Sequence, residues 1–182
     1  LAALSVLAPS QTVLDVGAGP HARAQAIADE IRSAGDADMG VIGAGMLKRV
    51  DGGGDLSGLI AYPSEEIVVI RVPGSGVREA MERSIANLPD SNDAFLQISG
   101  LSVWYSASAT AGSRVLEIRV GDAALDPSRQ YTIAMPASLA HGALGYFKVW
   151  DKRQIVKNTG TKLEAALKNK TGAVRSPRYI SR

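Results

Sequence analysis

Three observations predict a single domain that mixes helices and strands, of α/β or α+β class. Segments with helical apolar spacing are interleaved with alternating or β-branched runs. No charge run, long polar linker, internal repeat or heptad divides them. The 182 residues, 46% hydrophobic and 21% charged, suffice for one domain with a real core and exclude a disordered chain.

The elements follow in order. Thr12-Val13-Leu14-Asp15-Val16 reads as a short strand, and Gly17-Ala18-Gly19-Pro20 as a turn with Pro20 at a first helical position. Ala24, Ile27, Ala28 and Ile31 then recur at i, i+3, i+4 and i+7, with charged residues opposite, predicting an amphipathic helix to about Arg32. Met39 to Ala44 suits a buried strand ending in a Gly-rich bend, and Asp51-Gly52-Gly53-Gly54-Asp55 a loop. Leu56 to Tyr62 is a short helical or extended piece stopped by Pro63. Ile67 to Val72 is nearly continuously β-branched, which predicts a strand covered on both faces. Ser75 fits an N-cap, with Val77, Ala80, Met81, Ser84 and Ile85 as one face of a helix to about Asn87. Phe95–Ile98 and Leu101–Tyr105 read as strands flanking Ser99-Gly100. Arg114 to Val120 alternates, Val115, Glu117 and Arg119 opposing Leu116, Ile118 and Val120. A turn at Gly121-Asp122 and a strand from Gln130 to Met135 come next. Thr161 followed by Glu164 predicts a capping box opening a helix with Leu163, Ala166 and Leu167, stopped at Lys170-Thr171-Gly172, and then an irregular tail.

Composition removes much chemistry. With no Cys, the chain has no disulfide, thiolate metal site or Cys nucleophile. Two histidines, His21 and His141, cannot furnish a two-metal hydrolase centre. No Gly-x-Ser-x-Gly elbow or other nucleophile context supports an independent enzyme. A net charge of +2 without a dense basic run argues against a nucleic-acid partner, and no stretch approaches a membrane span. The start, Leu1-Ala2-Ala3-Leu4, lacks Met and a charged residue, as expected for a piece of a longer product or the end of a processed segment.

Several blocks carry a resemblance. Phe95-Leu96-Gln97-Ile98-Ser99-Gly100-Leu101, Pro127 through Tyr131, and Leu139-Ala140-His141-Gly142-Ala143-Leu144-Gly145-Tyr146 occur in that order. Leu59 through Val72 followed by Gly74 forms a further block, and Thr159-Gly160-Thr161 through Ser181-Arg182 a closing one. Together they resemble the C-terminal domain of the 5′-nucleotidase family, which includes UDP-sugar hydrolases and cyclic-nucleotide phosphodiesterases. The family's versions read Phe-Leu-Gln-Val-Ser-Gly and Leu-Ala-Asn-Gly-Gly-Asp-Gly-Tyr. The resemblance implies an α+β fold of mixed α/β layers over residues 12–182, with residues 1–11 as an extension or linker. It also implies a substrate-recognition domain that binds nucleoside or nucleotide. Divalent metals are expected only in a separate N-terminal metallophosphoesterase domain, so no cofactor is expected in this chain. A periplasmic or extracellular location and a role in nucleotide catabolism complete the expectation.

The same resemblance nominates residues. Tyr146 falls where the family places one stacking aromatic, after a Gly-rich turn. The alternative is that Tyr146, Phe147 and Trp150 anchor a loop to the core. The partner ring's place is taken by Ser64, and Tyr62 is the only nearby substitute. Glu65 and Glu66 replace a Gly-Asn pair; facing the site they would repel phosphate, and otherwise they form a solvated turn. Gly43-Ala44-Gly45-Met46-Leu47-Lys48 aligns with Asn-Ser/Ala-Gly-Gly-Ile-Arg: Gly43 replaces the Asn, Gly45 is kept, and Lys48 keeps the charge without the guanidinium fork, which Arg49 restores if the register differs by one. His141 stands for another Asn and Leu144 for an Asp, while Asp151 lies near a family acidic position. In the helix, Ala24-Gln25 replaces a Gly-Asn pair that contacts the catalytic domain's region. So many replacements keep a second reading open: a diverged structural or protein-interaction module on the same scaffold.

Overall fold

The computed structural model describes residues 21–48, 53–172 and 176–182. The strand expected at Thr12–Val16, the turn at 17–20, the extension at 1–11, Arg49 and the start of the 51–55 loop lie outside the described residues. Helix α1 (His21–Gly35) forms as its spacing predicts, with Ala24, Ile27, Ala28 and Ile31 fully buried. Strand β1 (Met39–Gly43) is buried throughout and runs into a short 3-10 turn, Ala44–Met46. Another 3-10 turn, Leu56–Leu59, is capped by Asp55, whose carboxylate accepts from the Ser57 N–H. Strand β2 (Glu66–Pro73) is covered on both faces apart from Arg71.

Helix α2 (Gly74–Ser84) starts two residues earlier than expected. Pro73 is the N-cap, and Ser75 lies inside the helix with its N–H on the Pro127 carbonyl at 3.0 Å. Strands β3 (Leu96–Ser99) and β4 (Leu101–Tyr105) are adjacent in sequence but belong to different sheets. Gly100 joins them with φ of +82°, a conformation that L side chains disfavour. In β5 (Val115–Val120) the expected alternation breaks, because Val115 and Ile118 are both buried. The cause is a bulge: Trp104 pairs Glu117 while Tyr105 pairs Val115, so Leu116 is an extra residue. The hairpin continues into β6 (Ala123–Ala124), then β7 (Gln130–Pro136) and a single turn of helix, α3 (Ala137–Ala140).

The C-terminal segment departs furthest from expectation. Thr161 does not cap a helix; it lies in β8 (Ile155–Lys162), and the helix that follows, α4 (Leu163–Leu167), has Lys162 as its N-cap with no side-chain bond. The Leu163 and Glu164 N–H groups are taken instead by the Glu65 and Pro63 carbonyls. The tail is not irregular either, since β9 (Tyr179–Ser181) pairs parallel with β4. A five-stranded mixed sheet in the order β3-β1-β7-β2-β8 and a four-stranded sheet in the order β6-β5-β4-β9 result.

One hydrophobic core serves both sheets. A buried polar knot locks them: the Tyr179 hydroxyl donates to the Leu96 carbonyl at 3.0 Å and lies 2.9 Å from Ser84 Oγ, which accepts the Leu96 N–H at 2.8 Å. Arg178 ties the C-terminal segment to α1 through Asp29 at 2.8 Å.

Candidate functional site

Three turns meet beyond the ends of β1, β2 and β7. The first is Gly43–Lys48. The Ala44 N–H donates to Phe95 O at 2.8 Å, Gly45 to Asp93 O at 2.9 Å and Lys48 to Leu59 O at 2.8 Å, and Leu47 bridges Ile60. The second is Tyr62–Glu65, closed by the Glu65 N–H on Tyr62 O. The third runs from α3 through His141 to Trp150. Glu65 joins the second to the third, its carboxylate accepting from the Ser138 N–H at 3.0 Å and hydroxyl at 2.8 Å. Glu66 accepts the Gly160 N–H at 2.8 Å. The two carboxylates therefore brace the framework between these turns and β8.

Tyr146 is not on the surface. It is 0% exposed, lies parallel to Trp150 with centroids 5.0 Å apart, and donates its hydroxyl to the Ala94 carbonyl at 2.6 Å. Burial holds its pKa well above the ordinary phenol value. In this conformation it meets the core-anchor expectation rather than the stacking one. The physical reason is the turn itself: Gly142, Leu144 and Gly145 all have positive φ, and this left-handed run folds the next residue inward. Phe147, one position on, points the other way and is 64% exposed. Residue type alone does not separate two consecutive aromatics, so the sequence does not single out Phe147. Tyr62 is likewise exposed, at 55%, on the neighbouring turn.

The Gly-rich turn is occupied from above. An ideal Cβ on Gly43 would lie 2.2 Å from Leu144 Cδ1, and one on Gly45 would lie 2.7 Å from Asp93 Cβ and 3.2 Å from Leu144 Cδ2. Leu144 therefore fills the space that a side chain at Gly43 would need. Arg83 fixes that leucine, its Nη2 donating to the Leu144 carbonyl at 2.5 Å while the guanidinium lies 5.3 Å from the Tyr146 centroid. Among the described residues its buried Nε has no hydrogen-bond partner. Arg83 was legible only as the last-turn cation of a helix.

The remaining candidates are scattered around this rim. Lys48 is exposed, and His141 is exposed as the C-cap of α3, its N–H on the Ala137 carbonyl. Asp151 caps the 3-10 turn Lys152–Gln154 and pairs with Arg153 Nη2 at 2.6 Å. The hydrogen bonds from the Arg153 side chain and backbone lower its pKa from 3.8 to about 2. No group of three or more His, Cys, Asp or Glu side chains among the described residues is placed to hold a metal ion. No helix among them is long and apolar enough to cross a membrane.

The two mixed sheets and the turns at their ends define an α+β domain. Its architecture is similar to part of a 5′-nucleotidase precursor from Thermus thermophilus (TM-score 0.74, 22% identity, 88% of this chain and 35% of that one). It is also similar to part of the NAD nucleotidase NadN of Haemophilus influenzae (TM-score 0.69, 14% identity, 96% and 36%). A snake venom 5′-nucleotidase of Crotalus adamanteus is 30% identical over 86 residues, which is 43% of this chain and 15% of the relative. The pattern of the family described as "5'-nucleotidase, C-terminal domain" matches residues 4–152, and the chain belongs to that family. The match spans only 15–21% of the length of these curated relatives.

Proposed function

We propose that this chain is the substrate-recognition domain of a 5′-nucleotidase-like metallophosphoesterase acting in nucleotide catabolism in the periplasm or outside the cell. On this reading the domain runs from 12 to 182, and the catalytic metals belong to a separate N-terminal domain. The observation that carries it is the pair of exposed rings, Tyr62 and Phe147, on turns joined through Glu65 and Ser138. Each base–ring stack contributes about 1–3 kcal/mol. Lys48 and Arg49 supply positive charge for the anionic end of a nucleotide, and Leu144 occupies space a polar contact would need. Recognition therefore rests on the base more than on sugar or phosphate.

Calorimetry with adenosine, AMP and a UDP-sugar tests this. Heat of binding that survives in a Tyr146→Phe variant and is lost in Phe147→Ala supports it; a folded sample giving no heat at millimolar ligand sinks it. The Leu144 side chain seated on Gly43 and Gly45 favours the second reading, a scaffold module that has kept the fold without its ligand, and the same null result would select it.

A further inference from the structure

The near-neutral total charge conceals a strong asymmetry. Residues 148–182 hold ten of the twenty Lys and Arg but only two of the eighteen carboxylates. The structure concentrates much of this excess along one feature. Strand β8 closes the five-stranded sheet, and among the described residues no strand pairs with its outer edge. Lys152 and Arg153 stand at its entrance, Lys157 at its middle and Lys162 at its end, all exposed. Arg153 is paired with Asp151, and Lys157 Nζ donates to the Gly35 carbonyl at 3.1 Å. Lys152 and Lys162 make no ion pair among the described residues. Val156 is 50% exposed between them.

Lysine on an open edge is a common protection against strand addition. One or two serve that purpose, and they act by denying a like-charged or apolar strand its place. The same arrangement attracts a strand of opposite sign, because edge pairing supplies main-chain hydrogen bonds while flanking charges select the partner. We propose that the β8 edge is a docking edge for an acidic, extended segment of a partner protein, alternating carboxylate and apolar residues so that an apolar side chain meets Val156. A second copy of this chain would set β8 lysines against β8 lysines. A nucleic acid would find no aromatic in residues 152–162 on which to stack a base.

The test is fluorescence anisotropy of the intact 182-residue chain with a labelled Glu-Val-Glu-Val-Glu-Val-Glu peptide. Controls are the Lys-Val counterpart, the same acidic peptide N-methylated at alternate amides, an oligothymidylate, and phosphatidylserine–phosphatidylcholine vesicles. Expected is binding of the acidic peptide alone, weakening roughly tenfold as salt rises from about 50 to about 300 mM. Loss on N-methylation, and a loss of about tenfold in the Lys152→Glu/Lys162→Glu variant, are also expected. The salt series and the N-methylated peptide need no mutant, so a misfolded variant does not blunt the test. Equal binding of the N-methylated peptide would overturn strand docking in favour of charge alone. Tighter binding of the oligonucleotide or vesicles would make the surface a nucleic-acid or lipid one. Self-association abolished by the charge reversal would make the occupant a second copy. Binding of none would leave the lysines as edge protection, and the proposal would fall.

Discussion

Tyr146 and Phe147 are consecutive, both aromatic, and opposite in every physical respect. Tyr146 is sealed against Trp150 with its hydroxyl paired, whereas Phe147 stands nearly two-thirds in water. The difference comes from the backbone, through the left-handed run at Leu144 and Gly145, and not from the side chains. The comparison teaches that an aromatic in a family motif can be a structural anchor while its immediate neighbour stays exposed. Replacing the anchor breaks the comparison most severely. Tyr146→Ala should cost about 3–5 kcal/mol in urea unfolding, as large-to-small changes at buried rings do. Tyr146→Phe, which removes only the hydroxyl, should cost about 1–2 kcal/mol by leaving the Ala94 carbonyl without its donor. If Tyr146→Ala were neutral, the ring would not be an anchor.

The second prediction concerns the plug over the Gly-rich turn. Gly43→Asn should destabilise by about 1–3 kcal/mol, because the new side chain and Leu144 Cδ1 compete for one space. Leu144→Gly empties that space and suits the positive φ at this residue, so the double variant should be less destabilised than the two single changes together. Additive costs would show that Leu144 and Gly43 do not share the space.

How legible these features were differed by region. The buried face of α1 and the strands β1, β2 and β7 were plain in the apolar pattern, because burial on one face imposes a period and burial on both faces a continuous apolar run. Strand β8 was not, since an edge strand with exposed Val156, Lys157 and Asn158 has no buried face to leave a pattern. Its Thr161–Glu164 spacing imitated a capping box, while the Glu164 N–H was taken by the distant Pro63 carbonyl and the Thr161 N–H by the Thr159 hydroxyl. β9 was too short to show a period and is held by long-range bonds through Arg178 and Tyr179. In the site, the loss of the second ring at Ser64 and the exposed Tyr62 were visible as residue types. The burial of Tyr146 beside the exposed Phe147, and the seating of Leu144 on Gly43, depend on positive φ angles that residue names do not announce. The charge excess beyond residue 148 was countable throughout and was masked only by averaging over the chain.

A third prediction sharpens the exposed side of the comparison. Phe147→Ala and Tyr62→Ala should each change stability by less than about 0.5 kcal/mol, as exposed substitutions do. A cost near that of Tyr146→Ala would mean that the rings pack in solution, leaving no free face for a base.

The smallest effect lies just beyond the aromatic pair, at Asp151. Its carboxylate pKa is lowered from 3.8 to about 2 by the Arg153 bonds at an exposed turn. A group whose folded pKa is depressed stabilises the fold above its unfolded value and loses that contribution as pH falls through the folded one. The contribution should therefore be intact above about pH 4 and fade towards about pH 2, with its size limited by solvent screening of an exposed pair. Carbon-13 NMR of the Asp151 carboxyl should show a midpoint at about 2, and Arg153→Gln should bring it back towards the ordinary value. A midpoint unmoved by that substitution would show that the Arg153 side chain is not what holds the carboxylate ionised. The cap bond from the backbone N–H of residue 153, which the substitution leaves in place, would then be what keeps the pKa low.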